Sequence, residues 1–454
     1  MSLETSDTPW FLKLPVELLQ KICRGLQGIR VDKGESDKHL ARLALTCRAL
    51  YLVANPILWE SLPGLEPLLD LMPPEAWDES VIKARYETPK GSASKARHLP
   101  DFWAPVRKLA DLVRHISIFP IPSRYQTMIM LARPSQKLLP RATRVILDQD
   151  RKRKLEFKNG SIDHYLKFLK FIIPFSGILD LDLSMDHIHT LALRQARFPQ
   201  LESLICHTID FDMWPGAVID AFQHRDAQLD LARSVTGLQH LRHLDMLFPF
   251  GPDAELFEGL GRFRHLSCLS VVFEPVGQTE QTVWIGRRSK YPADAFPALE
   301  SLQLEGVSFT DAAALLQSCA KRPSLRYIAI RSAGMDTPAA LLALTETIKR
   351  VCDPAVLAGV HLRRYPLSVM RDFDDSSYDW LLTFEHVEPL AALSSLETVV
   401  FGVFCEMTIT EEQWAHLERC WPNLLIREGG GGVTFDLGCS TNRTEATKTS
   451  WQAR

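Results

Sequence analysis

Apolar residues fall at helical spacing in the first sixty positions and at strand spacing later, and that change divides the chain. In LKLPVELLQKICRGL (residues 12–26), Leu14, Leu18, Ile22 and Leu26 recur every four residues, with Leu19 and Cys23 beside them. Positions four apart share a helix face, so the spacing predicts a short amphipathic helix. Pro15 suits its first turn, where a missing N–H costs nothing, and Glu17 sits near the positive end of the dipole. QGIRVDKGESDK (27–38) is dense in charge and holds two glycines, so it reads as an exposed loop. Leu40, Leu43, Cys47 and Leu50 then form a second helical stripe. Asn55-Pro56 predicts a break, and ILWESL closes the segment on Trp59.

Residues 63–105 carry Pro-rich turns (PGLEP, MPPE) and the polar stretch TPKGSASKARH, which marks a connector, ordered near LLDL and loose around 88–98. From residue 106 a shorter pattern returns: FPQLESLIC, LQHLRHLDM, FRHLSCLSV, FPALESLQL, RPSLRYIAI and LSSLETVVF. Weaker forms are LVRHISI, RATRVIL, FSGILDLDL and WPNLLIR. Alignment on the first repeated leucine gives Leu201, Leu241, Leu266, Leu299, Leu325 and Leu396, at intervals of 40, 25, 33, 26 and 71 residues. The last interval has room for a degenerate copy near AVLAGVHL (355–362). The clearest unit is LESLQLEGVSFTDAAALLQSCAKRPSLRYIAI. In it LQL is a strand, Asp311 or Thr310 caps the helix DAAALLQSCA, and the next leucine starts another strand. A strand plus a helix repeating at about 20–29 residues must stack on its neighbours to bury an apolar edge. The fold class predicted is α/β: a small all-α N-terminal module, then an irregular leucine-rich-repeat solenoid of parallel strands with helices. The plainer alternative is an ordinary α/β domain with coincidental leucines. The glycine run and small polar residues of 429–454 predict a disordered tail.

Composition sharpens the first segment. Residues 11–62 hold 27 apolar residues in 52, against 46% for the chain, and a unit this small hides only about 60% of its unfolded surface. It has more apolar surface than interior, which points to a partner. A net charge of −3 leaves no electrostatic footprint for nucleic acid. Nine cysteines with no CxxC pair suit reduced thiols better than disulfides or zinc. The opening MSLETSDTPWFLKLP lacks the basic start and apolar core of a signal peptide, and no apolar run reaches about 18 residues. The expectation is a cytoplasmic or nuclear protein with no membrane partner, so the sequons at Asn159 and Asn442 read as chance.

Motifs for catalysis are missing: no GxxxxGK[ST], no GxGxxG after a strand, no HExxH and no GxSxG. The expectation is a non-enzyme without metal or cofactor. Asp186, His187 and His189 could suggest a metal, but no further ligands join them and the cluster reads as a solvated turn. Cys206 and His207 are neighbours that a strand would point to opposite faces, which argues against a thiolate–imidazole pair. The basic run in DQDRKRKLEFK (148–158) lacks the interleaved aromatics of an RNA contact and reads as a loop. Gly429–Gly432 reads as a linker.

The first segment resembles the F-box through Leu14-Pro15-x-Glu17-Leu18-Leu19-x-x-Ile22, then Cys47-Arg48-x-Leu50, then Leu58-Trp59. The remaining layout is similar to that of fungal-type F-box proteins, in which a connector leads into irregular leucine-rich repeats. The layout is an extension (1–10), F-box (11–62), connector (63–105), repeats (106–428) and tail (429–454). The resemblance implies a substrate receptor of an SCF-type (Skp–cullin–F-box) ubiquitin ligase. The F-box would dock on a Skp-type adaptor, which leads to a cullin, and the repeats would hold a target protein. It implies adaptor contacts at Leu14, Pro15, Glu17, Leu18 and Ile22 and a second set at Leu43 and Cys47, with Trp59 either anchor or core. The alternative is a leucine-rich-repeat scaffold that binds the adaptor or another helix without serving a ligase. On the repeat face, Glu202, His240, His243, Glu300, Gln303, Arg326 and Glu397 lie among the leucines, and their mixed charges select neither an acidic nor a basic target.

Overall fold

A computed structural model describes residues 14–28, 33–73, 103–118, 137–147, 169, 172–184, 198–207, 233–248, 254–273, 295–319, 324–332, 336–364, 382–402, 407–424 and 434–435. The chain forms two compact units, Met1–Met213 and Trp214–Arg454. The loose connector stretch, the Asp186–His189 cluster, the basic run at 148–158 and Gly429–Gly432 lie outside the described residues.

The first unit opens with helices α1 (Val16–Gly28), α2 (Lys33–Ala44) and α3 (Arg48–Glu60). Pro15 stands just ahead of α1, and its carbonyl accepts from the Leu18 and Leu19 amides at 3.0 and 3.2 Å. The three helices enclose Leu19 and Cys23 of α1, Leu40 and Ala44 of α2, and Leu50, Val53, Ala54 and Ile57 of α3. The pattern predicts two helices here, and the structure has three. Helix α2 takes up Lys33–Lys38, part of the expected loop, because lysine and glutamate favour a helix that Leu40 then anchors. The chain turns at Thr46–Cys47, where the Thr46 hydroxyl donates to the Leu43 carbonyl at 2.8 Å and Cys47 is extended. Pro56 does not break α3. It deprives the Leu52 carbonyl of a donor, but buried Val53, Ala54 and Ile57 hold the helix through it.

Strand β1 (Ser61–Leu62) follows α3 directly and starts a parallel sheet in sequence order with β2 (His115–Ile118), β3 (Arg144–Leu147), β4 (Asp180–Ser184) and β5 (Ser203–His207). The ladder's first rung thus lies within residues 11–62. The connector, with α4 (Glu66–Leu69), runs between rungs β1 and β2 and ends on α5 (Ala104–Ala110). Register aligns Leu62, Ile116, Val145, Leu181 and Leu204, and all five are buried.

The second unit repeats this construction. Its parallel order is β6 (His243–Phe248), β7 (Cys268–Phe273), β8 (Ser301–Glu305), β9 (Tyr327–Ser332), β10 (Gly359–Arg364), β12 (Thr398–Gly402) and β14 (Thr434–Phe435). A separate parallel pair joins β11 (Leu382–Thr383) to β13 (Met407–Thr408). Two buried rows cross the sheet: Leu244, Leu269, Leu302, Ile328, Val360 and Val399, then Met246, Val271, Leu304, Ile330, Leu362 and Phe401. The aligned leucines 241, 266, 299, 325 and 396 each stand two residues before a strand and are buried. Leu357 fills the same place before β10, within AVLAGVHL. Each rung is tied to the last by one recurring bond, such as the Arg326 amide to the Glu300 carbonyl at 2.7 Å and the Ala358 amide to the Arg326 carbonyl at 2.8 Å.

Helices α6 (Ala254–Leu260), α7 (Phe309–Ser318), α8 (Pro338–Val351), α9 (Phe384–Val387) and α10 (Glu411–Cys420) fall between or after these strands. Ser308, not Asp311 or Thr310, caps α7: its hydroxyl accepts from the Asp311 amide at 3.0 Å and donates to the Asp311 carboxylate at 2.7 Å. Serine two residues earlier has the extended backbone a cap needs, while Asp311 is already inside the first turn. Buried Asp336 accepts from the Phe309 amide at 2.9 Å and from the Ser332 hydroxyl, fastening the start of α7 to the end of β9. Strand β14 lies within 429–454, where the composition predicts no structure; threonine and phenylalanine both favour extended backbone. No helix among the described residues is long and apolar enough to cross a membrane.

Candidate functional site

The helices of residues 16–60 bury one side of each stripe and leave the rest in water. On α1, Leu19 and Cys23 enter the core while Leu18 and Ile22, one turn apart, stay 43% and 50% exposed. Pro15 and Glu17 are exposed beside them, so four of the expected contacts share the outer start of α1. Leu14, Leu43 and Cys47 are half-buried and lean on the core cluster. Trp59 is half-buried in the last turn of α3. The eight positions are therefore not equivalent: four face solvent and four are partly committed to packing.

Four more apolar side chains are exposed here that the stripes do not predict. Val16 and Tyr51 are half-exposed, Leu52 is 62% exposed, and Leu45, at the turn between α2 and α3, is 84% exposed. The signal available in the sequence is negative: Leu45 and Leu52 fall off the 40–43–47–50 stripe, so the core has no use for them. Of the eight large apolar side chains exposed among the described residues, six lie within residues 16–52. Covering a leucine fully is worth about 1.5–3 kcal/mol, so this concentration is a surface built to be covered.

The arrangement is suited to binding. Burial pushes the Cys23 thiol upward, away from the thiolate form a nucleophile needs. Cys206 lies buried on β5. Burial also holds Cys319 and Cys352 at about 12, with the Cys319 charge adding to the second. Among the described residues no group of three or more His, Cys, Asp or Glu side chains converges as metal ligands would. Of the residues expected on the repeat face, His243 and Gln303 lie in strands; Glu202, His240, Glu300, Arg326 and Glu397 stand on the turns that enter them.

The F-box-like family model matches residues 11–62, the segment that holds α1–α3 and the exposed apolar surface. No curated protein matches the chain.

Proposed function

We propose that this chain is the target-recognition subunit of an SCF-type ubiquitin ligase, non-catalytic itself, in which residues 11–62 dock on a Skp-type adaptor and thereby reach a cullin. The observation that carries the reading is the crowding of exposed apolar side chains onto the F-box-like segment: Leu18, Ile22, Leu45 and Leu52 stay in water while chemically identical neighbours form the core. An amphipathic helix that lays such a face into a partner's groove is a common recognition mode. Residues 106–428 serve as an irregular leucine-rich-repeat array that holds the target. Support for that part comes from the in-step parallel strands and from buried leucines two residues before each of β5 to β10 and β12. A cytoplasmic or nuclear location goes with this role.

Co-expression of the full chain with a Skp-type adaptor and a cullin, followed by capture on the chain, tests the proposal. Recovery of both is expected. Recovery of the adaptor without the cullin would make the chain a scaffold, and recovery of neither would remove the adaptor reading altogether.

A further inference from the structure

Across β8, β9, β10 and β12 the register sets Glu305, Arg331, Arg363 and Gly402 side by side on the face opposite the buried rows. Glu305 pairs with Arg331 at 3.1 Å, and the Gln303 amide holds the other Glu305 oxygen at 3.1 Å. The row's one carboxylate is thus engaged by the first of its two guanidinium groups. Arg363 lies one strand further, about 4.8 Å away, and among the described residues its register partner on β12 is not an acid. Gly402 occupies that place. A Cβ there would come within 2.6 Å of Arg363 Cγ, so the missing side chain lets the arginine stem lie flat over β12.

Arg363 Nε is closed off from solvent and has no hydrogen-bond partner. A guanidinium N–H withdrawn from water without an acceptor carries an uncompensated desolvation cost. Its charge is also felt locally, because it helps hold the His361 imidazole, two residues back on the same face, below its ordinary value, after burial. Asp245 is on the same face but four strands away, on β6, at about 19 Å. Among the described residues the row Glu–Arg–Arg–Gly therefore sets two guanidinium groups against one carboxylate.

We infer that the face of β8–β12 is a docking site for an acidic target segment, whose aspartate or glutamate carboxylate completes the row at Arg363. One carboxylate matches the net charge of the row, whereas a phosphoryl dianion exceeds it. The Glu305–Arg331 pair next door is the same contact already made within the chain. This deepens the target-receptor reading and rests on it for the nature of the occupant, but binding at Arg363 is measurable without adaptor or cullin.

The test uses the immobilised full chain and three pooled heptapeptide libraries. Their central residue is glutamate, glutamine or phosphoserine, and the other positions are random. Glutamate peptides should be retained about tenfold over glutamine peptides, and Arg363→Gln should abolish that preference. Arg363→Lys should retain part of it, since the charge remains without the fork. Glu305→Gln leaves Arg363 untouched and removes the row's own carboxylate, so it should raise glutamate retention even if Arg363→Gln fails to fold. Equal retention of glutamate and glutamine peptides overturns the site. So does a preference that survives in folded Arg363→Gln, a Glu305→Gln variant without gain, or stronger retention of the phosphoserine pool. Failure of adaptor capture with a positive peptide result would remove the ligase reading and leave the acidic site standing.

Discussion

Truncating Leu18 and Ile22 together to alanine separates a binding surface from a core, because each sits one position before a buried residue of the same helix. Leu18 and Ile22 hold 43% and 50% of their surface in water, whereas Leu19 keeps 7%. Full burial of such a side chain is worth about 1.5–3 kcal/mol, so covering the exposed half of each on docking contributes about 1 kcal/mol. The double variant should lose about 2 kcal/mol of binding, or roughly thirtyfold in Kd. Leu19→Ala is the control: it opens a hole among Cys23, Leu40 and Leu50 and should cost about 2–5 kcal/mol of module stability. Calorimetric titration of the full chain with a Skp-type adaptor gives the first quantity, and urea unfolding of the same preparations gives the second. Wild-type affinity in the double variant would refute the docking argument. So would a double variant that unfolds as early as Leu19→Ala, because the lost binding would then be lost structure.

Gly306 has φ +80°, and an added Cβ would fall on the Phe273 carbonyl oxygen, so Gly306→Ala should destabilise by about 2 kcal/mol or more in urea unfolding; an unchanged midpoint would show that the turn relaxes freely. Asp336→Ala removes the acceptor of the Phe309 amide, which should cost about 1–3 kcal/mol in urea unfolding, while Asp336→Asn should recover part of the loss through its amide oxygen. Cys319 and Cys352 keep their protons up to about 12 in the fold but lose them from 9.0 when unfolded. Stability should therefore fall as pH rises above 9, by about 1 kcal/mol per thiol at pH 10. Replacing both with alanine should flatten that slope relative to wild type in reducing buffer, and an identical slope would place the loss elsewhere. His361 and His386 are held below 6.5, mainly by burial, so the unfolded chain takes up protons that the fold refuses. Stability should be full above pH 6.5 and decline as pH falls through it, a trend that His386→Gln should weaken.

The strand ladder was legible because its physical requirement is local. From β5 to β10 and at β12 each rung has alternating apolar positions and a leucine two residues ahead, so LESLQL and LRYIAI announce themselves whatever lies between, whereas β2, β3 and β4 carry Val113, Ala142 and Ile178 in that place. Rung β10 needed only Leu357, Val360 and Leu362 and could be placed from spacing. Helix ends were less legible, since they depend on packing across elements. Pro56 reads as a break until Val53 and Ile57 are known to be buried, and α2 reaches back into charged sequence because Leu40 anchors it. The Arg331–Arg363 row was not legible at all. Its members are 32 residues apart, and only register makes them neighbours. Reading outward from the leucines selects Arg326 and Glu397 instead, which stand on turns because β9 begins at Tyr327 and β12 at Thr398.

The same distinction governs the apolar surface of the first helices. A spacing of four predicts which residues share a face, but a three-helix core is narrower than the apolar stripe of α1, so Leu19 and Cys23 fill it and Leu18 and Ile22 are left at its margin. Identity and period cannot separate Leu18 from Leu19. What separates them is how much interior so short a segment can close, and that limit is set by size. A segment whose apolar residues outnumber its interior positions must leave some in water, and those left are the ones at the stripe's edge or off it, as with Leu45 and Leu52. Partner surface in such a module is therefore the remainder after the core is filled, so it can be located only once the core is known.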